Sequence, residues 1–168
     1  MQWWNGLWLN ESFASFMGTL ATAEATEFKD AWRAFYSEGK QRAYEQDQKP
    51  TTHPIEVPVP STQNAFDNID AITYSKGAST LMQLRHLLGA DVFRKGVHNY
   101  LVKYQYRNAK LDDFIGSLGQ AAGRDLTGWT KEWLYQPGVN TIAANYACKD
   151  GKIAGFTLDQ SPAGKAFP

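Results

Sequence analysis

The side chains able to do chemistry in this sequence are few and well separated. Glu11 sits in Trp8-Leu9-Asn10-Glu11-Ser12-Phe13. On a helix it lies about 200° around from Leu9, at about 100° per residue. Its own face carries Ala14, Ser15, Gly18 and Thr22, all small. Small neighbours admit another element at close range. The carboxylate is therefore either a solvated surface acid or a buried ligand or anchor for a cation. Tyr74 opens Ile72-Thr73-Tyr74-Ser75-Lys76-Gly77-Ala78. It is either a core ring or a hydroxyl donor aimed at negative charge developing on a substrate. Gly77 and Ala78 beside it leave room for a backbone or a ligand. His53 precedes Pro54 and reads as a turn histidine bonded to backbone. His86 and His98 fall on polar helix faces and read as solvated. Cys148 falls in a strand and reads as a small buried hydrophobe. The histidines are too scattered for a local metal motif, and the sequence holds no H-E-x-x-H, no G-x-S-x-G and no glycine-rich phosphate loop.

The elements that must position these groups are mostly helical. Leu9, Phe13, Phe16, Met17 and Leu20 follow i, i+4, i+7, i+8, i+11 spacing, one stripe of an amphipathic helix. A second helix is predicted over residues 27–44, with Phe28, Trp32, Phe35 and Tyr36. Residues 46–66 hold Pro50, Pro54, Pro58 and Pro60 and cannot continue it. This stretch is predicted to be a long ordered loop, with Ile55, Val57 and Val59 alternating inward. A loop of that length is often functional. Helix resumes near Asp70, with Tyr74, Gly77, Ala78, Leu81, Leu84 and Leu88 on one face and Gly89 as its stop. Further helices follow from Asp91 (Phe93, Val97, Tyr100, Leu101, Tyr104) and around Leu111, Phe114, Ile115 and Leu118, the latter ending near Gly123. Asp125 is predicted to N-cap a short helix bearing Trp129 and Trp133, which Pro137-Gly138 ends. Residues 142–148 and 153–158 read as two strands around Asp150-Gly151, a hairpin signal.

The chain has 168 residues, 43% of them hydrophobic, with 17 Lys and Arg against 17 Asp and Glu. That balance excludes a disordered chain. It also argues against nucleic acid as a partner, which calls for a basic excess. No apolar run is long enough to span a bilayer, and Met1-Gln2-Trp3-Trp4-Asn5 lacks the basic start and apolar stretch of a signal peptide. One cysteine excludes an internal disulfide framework and a multi-cysteine metal site. A lone thiol suits several compartments; the cytoplasm is the favoured expectation.

One stretch is not generic. Trp3-Trp4-Asn5-Gly6-Leu7-Trp8-Leu9-Asn10-Glu11-Ser12-Phe13-Ala14 closely resembles the zinc aminopeptidases of the aminopeptidase N type, in the gluzincin clan. Tyr74-Ser75-Lys76-Gly77-Ala78 looks like that family's Y-x-K-G-A motif. His53-Pro54-Ile55 and Gly123-Arg124-Asp125-Leu126, with Trp129, Trp133 and Leu134, have counterparts too. The resemblance covers residues 1–140. It implies that Glu11 is the third zinc ligand and also helps hold the ammonium group of a peptide substrate. It implies that Tyr74 is catalytic and stabilises the tetrahedral intermediate. The two histidines and base Glu of H-E-x-x-H, and the G-A-M-E-N segment, would all fall before Met1. The implied fold is mainly α: residues 1–138 form the helical C-terminal half of a thermolysin-like catalytic domain, and residues 139–168 the first strands of a following β domain. The expectation is a fragment of a zinc metallo-aminopeptidase, inert without the remainder of its polypeptide. The alternative is a free-standing, non-catalytic helical interaction module derived from such an enzyme. As an enzyme fragment, the chain should bring Glu11 and Tyr74 to one cleft from two helices. It should also associate with itself through Trp3, Trp4 and Trp8 or through the hairpin.

Overall fold

The structure is a computed structural model that describes residues 4–161. Helix α1 (Leu7–Ala25) runs through its centre. Its deepest residues are Leu7, Trp8, Ser12 and Phe16, while Leu9, Phe13, Met17 and Leu20 are only partly buried. The predicted stripe is thus one edge of a wider buried surface. The excess comes from the Trp8/Ser12 side, where a polar serine at 0% exposure lies against a neighbouring turn.

The helix predicted over 27–44 forms as α2 (Ala31–Phe35), a π turn (Tyr36–Lys40) and α3 (Gln41–Asp47). Trp32 and Phe35 pack on the core, whereas Phe28 and Tyr36 are exposed. The proline-rich stretch is ordered, with Ile55 and Val59 buried and Val57 partly buried, as their alternation requires. It also contains a short helix absent from the sequence reading, α4 (Thr62–Asp67), capped by the Ser61 hydroxyl accepting from the Asn64 N–H at 3.3 Å. The loop is strapped down by backbone bonds: Glu56 N–H donates to the Leu134 carbonyl at 2.9 Å, and Val59 N–H to Asn5 Oδ1 at 2.9 Å. Trp8 donates its indole N–H to the Glu56 carboxylate. Trp8 is therefore buried, and Trp4 packs with Leu7, Val59 and Ala65. The expected exposed tryptophan cluster does not form from these two residues; Trp3 lies outside the described residues.

A second π turn (Ile72–Lys76) leads into α5 (Gly77–Leu88). Then come α6 (Ala90–Tyr104), α7 (Leu111–Ala122) and α8 (Thr127–Leu134). Asp125 does not cap α8 from the N-cap position. It accepts from Thr127 N–H at 2.9 Å and Thr127 Oγ1–H at 2.7 Å, closing a turn one residue before the helix. The main core joins Phe16, Ala78, Leu81, Leu84, Phe93, Val97, Phe114, Leu118 and Leu126. Edge-to-face rings tie its helices together, as in Phe16–Phe93, with centroids 5.6 Å apart.

After α8 the chain forms one antiparallel pair, β1 (Thr141–Lys149) and β2 (Lys152–Ser161), with Tyr146 opposite Phe156 and a bulge between Ala147 and Cys148. Asp150 and Gly151 both take positive φ, 52° and 72°, the geometry a two-residue hairpin turn needs. Every residue of both strands is exposed. Cys148 is among them, so the buried-hydrophobe reading of its thiol is overturned. The architecture is mainly α with a C-terminal hairpin. No helix among the described residues is long and apolar enough to cross a membrane.

Candidate active site

The two residues singled out by type, Glu11 and Tyr74, meet because α1 and the π turn before α5 are locked together next to them. Ser12 Oγ donates to the Thr73 carbonyl at 2.5 Å. Directly behind, Gly77 presses on Ser12: a Cβ on residue 77 would lie 1.9 Å from Ser12 Oγ and 2.9 Å from Ser12 Cβ. Only glycine allows the two backbones this close. The contact holds the neighbours, Glu11 on one side and Tyr74 on the other, within interaction range. Burial, a hydrogen bond with the Glu11 carboxylate and its negative charge together push the Tyr74 phenol above its ordinary pKa of 10.0. The shift disfavours the phenolate beside the Glu11 carboxylate. Both side chains are half-buried. Glu11 also takes a contact from Asn10 Nδ2 at 3.3 Å, and no Lys, Arg or His pairs with it among the described residues. Among the described residues, neither lines the surface cavity of about 910 Å³ beside Lys76 nor that of about 650 Å³ beside Trp129.

A second tier of polar residues supports the turn. Asp70 Oδ1 accepts the N–H groups of Ile72 at 2.8 Å and Thr73 at 3.2 Å. The Thr73 hydroxyl donates to the Asn68 carbonyl. His53 faces Asp70 through Nε2 and the Pro54 carbonyl through Nδ1, so the expected backbone-bonded turn histidine is only half of its role. Lys76 pairs with the 1%-exposed side chain of Asp47 at 2.6 Å and donates to the Gly138 carbonyl at 3.1 Å. Asp47 Oδ1 in turn accepts from Thr52 Oγ1–H at 2.6 Å and from Gly138 N–H at 3.0 Å. Periodicity gave no sign of Asp47 or Asp70. Asp47 draws its partners from Lys76 and Gly138, far along the chain, and Asp70 joins the turn just after it to His53. Glu56, also unremarked in the sequence, is pushed up to about 7, chiefly by burial. His86 and His98 are exposed, as expected.

Comparison with known proteins bears on the whole helical region. The family described as "Peptidase family M1 domain" matches residues 1–133. The chain belongs to peptidase family M1. Its relatives carry matching names. It is 40% identical to aminopeptidase N of Streptomyces lividans over 163 residues, covering 95% of this chain and 19% of that protein. It is 41% identical to probable aminopeptidase 2 of Sulfurisphaera tokodaii over 142 residues, 84% of this chain and 18% of that protein. It is 38% identical to aminopeptidase 2, mitochondrial, of Saccharomyces cerevisiae over 145 residues, 86% of this chain and 15% of that protein. The chain thus spans about a fifth or less of the length of these curated relatives.

Membership of an M1 metallopeptidase family raises the question of a metal. A catalytic zinc takes three protein ligands and keeps one position open. Among the described residues no group of three or more His, Cys, Asp or Glu could hold a metal ion. By themselves the described residues do not make a complete zinc site. Glu11 is a half-buried carboxylate with no cationic partner among the described residues, which leaves its oxygens available to a cation.

Proposed function

We propose that this chain supplies part of the active site of a zinc metallo-aminopeptidase that removes N-terminal amino acids from peptides. Residues 1–138 form the C-terminal part of its catalytic domain, and residues 139–168 open a β domain. Glu11 serves as one metal ligand and as an anchor for the substrate's free ammonium group. Tyr74 donates its O–H to the oxygen of the scissile carbonyl as that carbon becomes tetrahedral. When bound, zinc supplies a water acidic enough to attack at neutral pH. The observation carrying this reading is the Ser12–Thr73–Gly77 lock, which sets an acid and a phenol of raised pKa side by side. Alone, the chain offers one ligand, so it should bind no stoichiometric zinc and turn over no substrate.

The test uses the complete polypeptide carrying both this segment and an H-E-x-x-H half. Tyr74→Phe should lower kcat about 10²- to 10³-fold, the usual effect of removing one oxyanion donor, with KM nearly unchanged. Glu11→Gln should lower zinc content as well as activity. An unchanged kcat in Tyr74→Phe, or stoichiometric zinc in the isolated chain after chelator treatment and repletion, would overturn the reading.

A further inference from the structure

The turn that carries Tyr74 hangs on one carboxylate. Asp70 caps the Ile72 and Thr73 N–H groups through Oδ1, and its backbone carbonyl accepts the Tyr74 N–H at 3.1 Å. The direction of that carboxylate therefore sets where the turn begins. Its other oxygen, Oδ2, is held by His53 Nε2 at 3.1 Å, while His53 Nδ1 lies 2.6 Å from the Pro54 carbonyl. A carbonyl and a carboxylate can only accept. Contacts to two acceptors favour a proton on each ring nitrogen, the imidazolium form. Its bond to Asp70 is charge-assisted, the stronger kind. The two side chains are only 16% and 20% exposed, so water screens the pair weakly.

Electrostatics agree with the geometry. Burial works against charge on His53, and Lys76 adds repulsion, but the Asp70 hydrogen bond, the Pro54 carbonyl and the Asp70 charge outweigh both and raise its pKa. Burial likewise opposes ionisation of Asp70, and the His53 and backbone bonds overcome it. A histidine from the proline-rich loop, 21 positions before Tyr74, is thus wired to the base of the turn.

We propose that His53 is a positioning residue for Tyr74: acting through Asp70, it fixes the turn from which the phenol reaches Glu11. The consequence for turnover rests on the reading of Tyr74 as the oxyanion donor. The coupling itself does not.

The coupling is tested on this chain, labelled with ¹⁵N and with ¹³Cζ-tyrosine. In His53→Ala, the Ile72, Thr73 and Tyr74 amides should exchange on the order of tenfold faster, a local opening. The Tyr74 ¹³Cζ shift should move toward its value in Glu11→Gln, while amides of α6 and α7 keep their rates. His53→Gln places an amide N–H where Nε2 was and should restore both signals. Loss of protection spread evenly over all helices would show a merely structural role. An unmoved Tyr74 resonance would overturn the proposal outright. Should His53→Ala not fold, the wild-type chain gives the answer: the Tyr74 shift should track titration of the His53 ring, and that dependence should vanish in His53→Gln. A Tyr74 signal blind to the titration sinks the idea. In the complete polypeptide, His53→Ala should lower kcat on the order of tenfold with KM little changed, a cost typical of a misplaced group, and His53→Gln should recover it. An undiminished kcat in Tyr74→Phe would overturn the donor reading, while the resonance experiment still decides the positioning.

Discussion

The helical body and the hairpin carry side chains of the same chemistry and treat them in opposite ways. Leu81, Leu84, Phe114 and Leu118 are at most 1% exposed, while Ile142, Tyr146, Phe156 and Leu158 are 57–69% exposed. The hairpin is no less patterned. Its register sets Tyr146 against Phe156 and Ala144 against Leu158, an apolar sheet face with polar Asn145 and Asp159 on the other side. What differs is the partner. Each body helix lays its face on other helices, whereas the sheet face stays open, only its Ile142/Gln160 end bordering a cavity shared with the body. Periodicity decides which face is apolar; burial needs a second surface to meet it.

Mutations can break this contrast or sharpen it. The largest effect should come from Phe114→Ala, which hollows a fully buried ring site and should cost about 3–5 kcal/mol in urea unfolding. Next is Gly77→Ala, which forces a methyl into Ser12 and should cost about 1–3 kcal/mol as an overpacked contact. It should also return the Tyr74 phenol toward its ordinary pKa by parting it from Glu11.

Glu56 gives a smaller, pH-dependent effect. Its folded pKa is raised from 4.5 to about 7, so the folded state holds a proton that the unfolded state releases between those values. Stability should therefore fall as pH rises through this window. Glu56→Gln, which still accepts from Trp8, should flatten that fall in melting temperature. The His53–Asp70 pair adds a term on each flank. The His53 share is complete below 6.5 and fades as pH rises through its raised folded pKa. The Asp70 share is complete above 3.8 and fades as pH falls through its lowered one.

The smallest effect belongs to the hairpin. Phe156→Ser should shift stability by no more than about 0.5 kcal/mol. Light scattering over a concentration series should nonetheless show less self-association, since an exposed apolar face and free strand edges favour it. If Phe156→Ser unfolds the chain as Phe114→Ala does, the two regions are not different in kind.

Much of this was legible in the sequence. The apolar spacing placed α1, α5, α6 and α7, and Asp150-Gly151 placed the hairpin. The two π turns were not, because one extra residue only shifts the phase of the 3.6-residue pattern by about 100°, and over so few turns that reads as ordinary irregularity. Ser12 looked like one more small polar residue; its burial arises from Gly77, 65 positions later. Glu11 and Tyr74 stood out through motif resemblance, since periodicity alone left each with a bland alternative. Asp47 and Glu56 escaped because an acid held inside is recognised by its partners, here Lys76, Gly138 and Trp8 from distant segments, and Asp70 because its tie to His53 spans the proline-rich loop.

The Lys76–Asp47 pair has a mechanical consequence. Both partners also grip Gly138, one by its carbonyl and one by its N–H. Gly138 sits between α8 and β1 at φ 82°, a conformation suited to glycine. The junction is thus a pinned joint rather than a slack tether. Its pin passes through a lysine two residues from Tyr74, so the strands and that turn share one anchoring point.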